Sequence, residues 1–378
     1  MTDRPIVALV VDAVHPYSFG GRENRCRELS SHLVERFDVH VFTMQWWDGP
    51  KVRTEGRVTF HAICRKWPLY RGDARSMLQA LMFSVGCLRL LRERFDVLEA
   101  DQIPFFPVLV LRIVATVRRR PLVGTWHEVW GPVYWRDYLG RLWWFGWAVE
   151  WLAMRAPDRI IAASPETGLR LRDHVSDSVP ITVVPNGIDF ERVRAVEADT
   201  ERRDLVVVSR LMPHKRLDLL LDAVALLGEQ GRPVTCRIIG DGPERDRLHA
   251  RSAALGITGR VEFRHDVQEQ KDVYALIKAS RVFAFPSLRE GFGVAVLEAL
   301  ACGVPVVTTS ARDNLAQCLV RRSRHGTVCP PTLPAFAAAL ATALDGDHGG
   351  GPDRVLEPWL AEYSWSLIAA RVSAVLTA

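Results

Sequence analysis

The seven cysteines of this sequence, at 26, 64, 87, 236, 302, 318 and 329, make no Cys-x-x-Cys pair and hold no metal-like spacing with histidine. That absence excludes a zinc framework, and an odd set of scattered thiols fits a reducing compartment. Lysine is scarce as well. It supplies only five of the 49 basic residues (51, 66, 215, 271 and 278), a bias of coding more than of chemistry. The basic residues form no long block, and the net charge is only +5. Such a balance mildly favours anionic ligands such as phosphates and argues against a nucleic-acid partner. At the N-terminus the apolar run Ile6–Val11 is too short for a signal h-region or a membrane span. The expectation is a cytoplasmic protein.

What is present is the material for two cores. A chain of 378 residues, 48% hydrophobic and 25% charged, is globular and too long for one ordinary domain. Pro5–Val11 is a continuous apolar run of the kind found in buried parallel strands. A loop with Pro16, Gly20 and Gly21 follows, then helical spacing over Arg22–Arg36, then a strand at Val39–Thr43. Strand, glycine-bearing loop, helix and strand make a βαβ unit. The pattern continues with strands at Asp96–Glu99, Leu122–Thr125 and Arg159–Ala163, a helix at Val108–Val117, and a very apolar helix at Leu139–Met154.

A second start lies near residue 180. Ile181–Val184 is a strand that stops at the turn Pro185-Asn186-Gly187, and the charged stretch Phe190–Arg203 reads as a linker. Leu205–Ser209 then behaves as a fresh first strand, followed by a helix over Leu217–Leu227. Further strands fall at Cys236–Gly240, Val261–Phe263, Val282–Phe285 and Val304–Thr308. Alternation of this kind implies an α/β fold with parallel sheets covered on both faces. The expected architecture is two doubly wound, Rossmann-like domains facing across a deep cleft, residues 1–186 and 187–362. A terminal helix over 363–378 is expected to return to the first.

The most informative stretch runs Phe285-Pro-Ser-Leu-Arg-Glu-Gly-Phe-Gly-Val-Ala-Val-Leu-Glu-Ala-Leu-Ala-Cys-Gly-Val-Pro-Val-Val. It is strand, loop, helix and strand in a small space. Gly291 and Gly293 let backbone approach a ligand closely, and the helix beginning at Val294 offers unpaired N–H groups and a positive dipole end. That combination suits phosphate. Glu290 lies in the loop and Glu298 about one turn inside the helix. As isolated glutamates they would read as surface charges, and it is the surrounding glycine-rich loop and helix that give them a functional reading.

This stretch resembles the Glu-x7-Glu signature of the large retaining family of GT-B glycosyltransferases, the group 1 or family 4 type. Further segments fit the same family in the right order. They are Gly20-Gly21, Val184-Pro-Asn-Gly-Ile-Asp189, Ser209-Arg-Leu-Met-Pro-His-Lys215 and Ile239-Gly-Asp-Gly-Pro-Glu244. Five motifs in order are far more specific than any one. One departure stands out: Ser209 replaces the usual glycine before Arg210.

The resemblance implies a role for each matched residue. Arg210 and Lys215 would clasp a diphosphate, with Gly240 in the turn beside them. Glu298 would accept from ribose hydroxyls. Glu290 would sit beside the donor sugar, with backbone from Gly291, Phe292, Gly293 and Val294. His127, in Thr125-Trp-His-Glu128, would face the same sugar, and Gly20 and Gly21 would lie near the distal phosphate. Catalysis is thereby assigned to His127, Arg210, Lys215 and Glu290. No cofactor or metal is expected, because the nucleotide sugar is itself a substrate and the cations stabilise the leaving diphosphate. The resemblance also implies front-face transfer to a hydroxyl acceptor, whether a glycan, a lipid-linked glycan or a small natural product.

The segment 126–151 is dense in aromatic residues. It reads as core, as an acceptor groove or as a membrane-facing surface flanked by Arg136, Arg141 and Arg155. Trp130, Tyr134 and Trp135 are the candidate acceptor-side residues, while most of Leu142–Leu152 is expected to be packed. Asp345-Gly-Asp347, in a glycine-rich loop, reads as a turn and not as a metal site. Competing functions are a dinucleotide-dependent oxidoreductase, a sugar-nucleotide epimerase of similar shape, and a catalytically silent sugar-binding partner. The first fails because Gly20-Gly21 is no Gly-x-Gly-x-x-Gly fingerprint.

Overall fold

Strand β1 (Ile6–Val10) shows why the apolar runs are continuous. Ala8 and Val10 enter one apolar cluster while Val7 and Leu9 enter another, so both faces of the strand are buried. The computed structural model describes residues 4–18, 20–71, 74–267, 269–346 and 357–378. They fall into two units, residues 1–187 with 365–378, and residues 188–364.

In the first unit the other strands are β2 (Asp38–Gln45), β3 (Val52–Glu55), β4 (Val58–Arg65), β5 (Val97–Asp101), β6 (Leu122–Trp126), β7 (Arg159–Ala162) and β8 (Ile181–Val183). They line up as β8-β7-β6-β5-β1-β2-β4-β3. Within this sheet all pairings are parallel except β3 on β4, and a separate antiparallel pair joins Tyr70–Arg71 to Ala74–Arg75. Helices Met77–Cys87, Phe105–Arg118 and Trp143–Arg155 cover one face. Gly21–Leu33 and the terminal helix Trp365–Thr377 cover the other.

The second unit has strands β9 (Arg203–Val208), β10 (Cys236–Ile239), β11 (Val261–Arg264), β12 (Ser280–Phe285), β13 (Val306–Thr309) and β14 (Gly326–Cys329). Their order is β11-β10-β9-β12-β13-β14, parallel throughout. Where strand order reverses, loops leave neighbouring strands in opposite directions and open a crevice at their carboxyl ends. That point lies between β1 and β5 in the first unit, and between β9 and β12 in the second.

Two readings from sequence need correction. The stretch Phe190–Arg203 is not wholly a linker. Asp189 caps a short helix, Phe190–Ala195, by accepting from the Arg192 N–H at 2.9 Å, and Val193 anchors it in the core. Leu139–Met154 is not one helix either. Gly140, with φ of 54°, ends the helix Gly131–Leu139 before Trp143–Arg155 begins.

Asp345 closes the helix Leu333–Asp345 and accepts from Arg232 at 2.7 Å. The rest of that glycine-rich loop, 347–352, lies outside the described residues.

Candidate active site

β9 ends at Val208, and the chain passes through Ser209 and Arg210 into a short helical turn, Pro213–Lys215. The turn closes at Arg216, whose φ of 50° is left-handed and costs about 1–2 kcal/mol for a residue with a Cβ. The loop after β12 docks on this turn, its Leu288 N–H donating to the His214 carbonyl at 2.8 Å. Parallel pairing of Arg289–Glu290 with Asp313–Asn314 fixes the far end of the loop. Buried Asn314 anchors that pairing, donating to Thr308 Oγ1 and the Thr309 carbonyl, each at 2.9 Å.

Held this way, Lys215 Nζ donates to Glu290 Oε2 in an ion pair whose side chains are 14% and 19% exposed. The local field is positive. Burial, then Lys215, Arg289 and Arg210, push the His214 imidazole down to about 3. Gly240 has φ of 133°, and a Cβ there would lie 2.0 Å from the Ser209 carbonyl oxygen. Its glycine lets the turn after β10 lie against the Arg210 loop, where the Leu211 N–H donates to the Asp241 carbonyl at 3.0 Å. The Ser209 hydroxyl is buried with no partner among the described residues.

Gly293, with φ of 92°, opens the helix Val294–Ala301, and a Cβ there would meet Ala316 Cβ at 2.4 Å. No side chain caps this helix among the described residues, so its first N–H groups remain available to an anion. Phe292 turns its ring into the core, 5.9 Å from Tyr363, which leaves its backbone as the part a ligand could meet. Glu298 is 7% exposed and accepts from Gln270 Nε2 at 2.8 Å.

In the first unit Gly20 is extended, a conformation open to any residue, and Gly21 begins the helix Gly21–Leu33. From that helix Arg22 reaches both Asp12, after β1, at 3.0 Å and Asp101, at the end of β5, at 2.9 Å. His127, just past β6, meets Asp101 at 3.0 Å through Nε2. Burial draws the Asp101 carboxyl upward, but Arg22 and then His127 outweigh it and hold it well below the usual carboxylate range. Asp12 is fully buried and also accepts from Arg75 at 2.7 Å and Gln79 at 3.1 Å.

Two family models match the chain in tandem. Glycosyltransferase Family 4 matches residues 19–192, and Glycosyl transferases group 1 matches residues 189–352. The chain belongs to this glycosyltransferase family.

Among relatives of the family, D-inositol 3-phosphate glycosyltransferase of Streptomyces bingchenggensis is 32% identical over 214 residues, 51% of this chain and 46% of the relative. The chain spans about half the length of the curated relatives it matches. Sucrose-phosphate synthase from Thermosynechococcus elongatus shares 19% identity and a TM-score of 0.77, with 98% of each chain covered. Anabaena HepE, solved with UDP and glucose, shares 18% identity and a TM-score of 0.75, with 99% of this chain and 100% of that one covered. The fold is GT-B, two Rossmann-like α/β units.

The family's motifs single out Arg210, Lys215, Glu290 and Glu298, all of which the second unit carries on its switch-point loops and the helix that follows. They give no notice of Arg22, Asp12 and Asp101, which share no short spacing with His127 and converge only because β1, β5 and β6 are neighbours.

The aromatic segment also departs from expectation. Leu142, Trp144, Phe145, Trp151 and Leu152 are exposed, because Trp143–Arg155 packs along one face only. Trp130 and Trp135 are oriented by buried Glu150, which accepts from the Trp130 N–H at 2.7 Å and from Trp135 Nε1 at 2.6 Å. Burial raises the Glu150 carboxyl to about 7. Tyr134 stacks on Tyr138 with ring centroids 5.6 Å apart. Among the described residues no three His, Cys, Asp or Glu groups gather as a metal site. No described helix is long and apolar enough to cross a membrane.

Proposed function

We infer that the chain is a retaining, metal-independent glycosyltransferase that moves a sugar from a nucleoside diphosphate to a hydroxyl acceptor. The observation that carries this reading is the meeting of the loops after β9 and β12, which pairs Lys215 with Glu290 four residues before the helix Val294–Ala301, whose N-terminus has no side-chain cap among the described residues. A diphosphate is the ligand such a junction suits. It brings charge that grows as the anomeric C–O bond breaks, and fixed cations and helix N–H groups stabilise charge best where it develops.

In the proposed step the bond between the anomeric carbon and the diphosphate oxygen breaks while a bond to the acceptor oxygen forms on the same face. The acceptor's proton passes to the leaving phosphate. Lys215 and Arg210 receive the diphosphate charge, Glu298 accepts from the ribose hydroxyls, and Glu290 binds the sugar. UDP is the first choice of nucleotide and GDP the second. HepE was solved with UDP-glucose, and a mycobacterial relative is named as GDP-mannose-dependent.

Proton NMR of the first-formed product tests the stereochemistry, with an unchanged anomeric configuration expected and inversion contradicting it. Treatment with EDTA should leave the rate within about twofold, because cations occupy the role a metal fills elsewhere.

A further inference from the structure

The helices Met77–Cys87, Phe105–Arg118 and Trp143–Arg155 lie side by side over one face of the first sheet, with Phe105–Arg118 in the middle. The outward stripe of a surface helix is ordinarily polar. Here it is apolar on all three. Leu78, Leu81 and Val85 are exposed on the first, Ile113 and Val117 on the second, and Trp144 and Trp151 on the third. Their spacing keeps each set on one side of its helix. Ten of the eighteen large apolar side chains exposed among the described residues stand on these three helices, and none lies within residues 188–364. The second unit covers its own core without such a face, so the feature belongs to this layer and not to the composition of the chain.

Charge is arranged around the same face. The only acidic residue in the three helices is Glu150, which is buried and occupied with Trp130 and Trp135. Arginines collect where the helices end. Arg89, Arg92 and Arg94 follow the first, Arg118, Arg119 and Arg120 close the second, and Arg155 closes the third. These ends lie together, because Arg118 donates to the Glu93 carbonyl at 3.0 Å and Arg112 to the Ala156 carbonyl at 3.2 Å. Three carboxylates share this edge, Glu93, Asp96 and Asp158, and the last two pair with Arg120 and Arg112. The edge is left net positive. The Arg155 guanidinium lies 3.6 Å from the centre of the Trp151 ring, a cation and an aromatic ring at one place. Such pairs suit a boundary between hydrocarbon and phosphate, where the ring sits among headgroups and the arginine reaches outward.

We propose that this face rests on a lipid bilayer containing anionic headgroups, with its apolar side chains among the upper acyl chains and its arginines on lipid phosphates. At 11, 14 and 13 residues the helices are too short to cross, so the contact is peripheral. A protein partner or a second copy would also cover apolar area. A face cleared of carboxylates and edged with arginine matches a surface of phosphates better.

The test is flotation of the full chain with vesicles of phosphatidylcholine alone and of phosphatidylcholine mixed with phosphatidylglycerol. The wild type should float with the mixed vesicles and far less with the neutral ones. Arg92→Gln/Arg94→Gln/Arg119→Gln should weaken binding to mixed vesicles by roughly a hundredfold, at about fivefold per charge. Leu81→Glu/Ile113→Glu should abolish it, and since both positions are exposed the melting temperature should stay near that of the wild type. Lipids brominated in the acyl chain should quench wild-type tryptophan fluorescence, and Trp144→Phe/Trp151→Phe should lose most of that quenching while still floating. A wild type that ignores mixed vesicles, or binds both kinds equally, overturns the proposal. So does a folded Leu81→Glu/Ile113→Glu that floats as well as the wild type. A dimer in sedimentation equilibrium that the same variant splits assigns the face to a second copy and also overturns it.

Discussion

Lys215 and Glu290, 75 residues apart in sequence, meet as a partly buried ion pair at the switch point of the second sheet. The pair joins the loop after β9 to the loop after β12, and it places one ammonium where a leaving diphosphate would gather charge. Lys215→Ala should therefore lower kcat by roughly 10²–10³ while changing the donor KM far less. Lys215→Arg should recover part of the loss. Steady-state assay of nucleotide release checks this, and a kcat within a few-fold of the wild type contradicts it.

Glu298 contributes differently, because its assigned partners are ribose hydroxyls present before and after the bond breaks. Hydrogen bonds to a charged group are worth about 1.5–3 kcal/mol, so Glu298→Ala should raise the donor KM about 10–100-fold with kcat nearly kept. Gln270→Ala removes one hydrogen bond that orients that carboxylate and should give a smaller KM effect in the same direction. A loss confined to kcat would remove Glu298 from the donor site.

His214 serves as a sensor of the site's field. Its imidazole titrates at about 3 in the folded chain against 6.5 ordinarily, through burial and then Lys215, Arg289 and Arg210. The stability it contributes is complete above pH 6.5 and is lost as pH falls from there toward 3. A bound diphosphate offsets the cations and should raise the His214 midpoint. Imidazole proton shifts followed by NMR with and without UDP measure it. A midpoint near 6.5 in the free protein contradicts the account.

Two glycines separate steric need from backbone need. Gly240 has φ of 133° and a Cβ there would strike the Ser209 carbonyl at 2.0 Å, whereas Gly231 has φ of 78° and open space around it. Gly231→Ala should cost about 1–2 kcal/mol from the left-handed backbone alone. Gly240→Ala adds overpacking against backbone and should cost more than about 3 kcal/mol. Urea denaturation of the two variants compares them, and equal midpoints contradict the close approach.

Much of the fold was legible because buried parallel strands are apolar on both faces. The runs at Ile6–Val11, Leu205–Ser209 and Val282–Phe285 announce themselves for that reason. β3 was silent because its residues are mostly exposed, and β14 because it begins with glycine and is only partly covered. In the site, Arg210, Lys215, Glu290 and Glu298 came from short motifs that the chain order preserves. The pairing of Lys215 with Glu290 did not, nor did the Asp12–Arg22–Asp101–His127 cluster, since strand order in the sheet brings these groups together and sequence spacing does not encode it. The helix Trp143–Arg155 misled for a related reason. Apolar residues all round it imply burial all round, yet it packs along one face and leaves Trp144 and Leu152 exposed.

The central claim is that cations beside the helix at Val294 hold a nucleotide's diphosphate. Thermal unfolding with UDP, GDP, TDP and ADP, on the wild type and on the Arg210→Ala/Lys215→Ala double variant, tests it most directly. Ligand at one hundred times its Kd stabilises the native state by about 2.7 kcal/mol, so at least one nucleotide should raise the wild-type Tm by several degrees. The double variant, folded but without the two cations, should show almost none of that rise. A wild type that no nucleoside diphosphate stabilises, or a double variant stabilised as strongly as the wild type, contradicts the account.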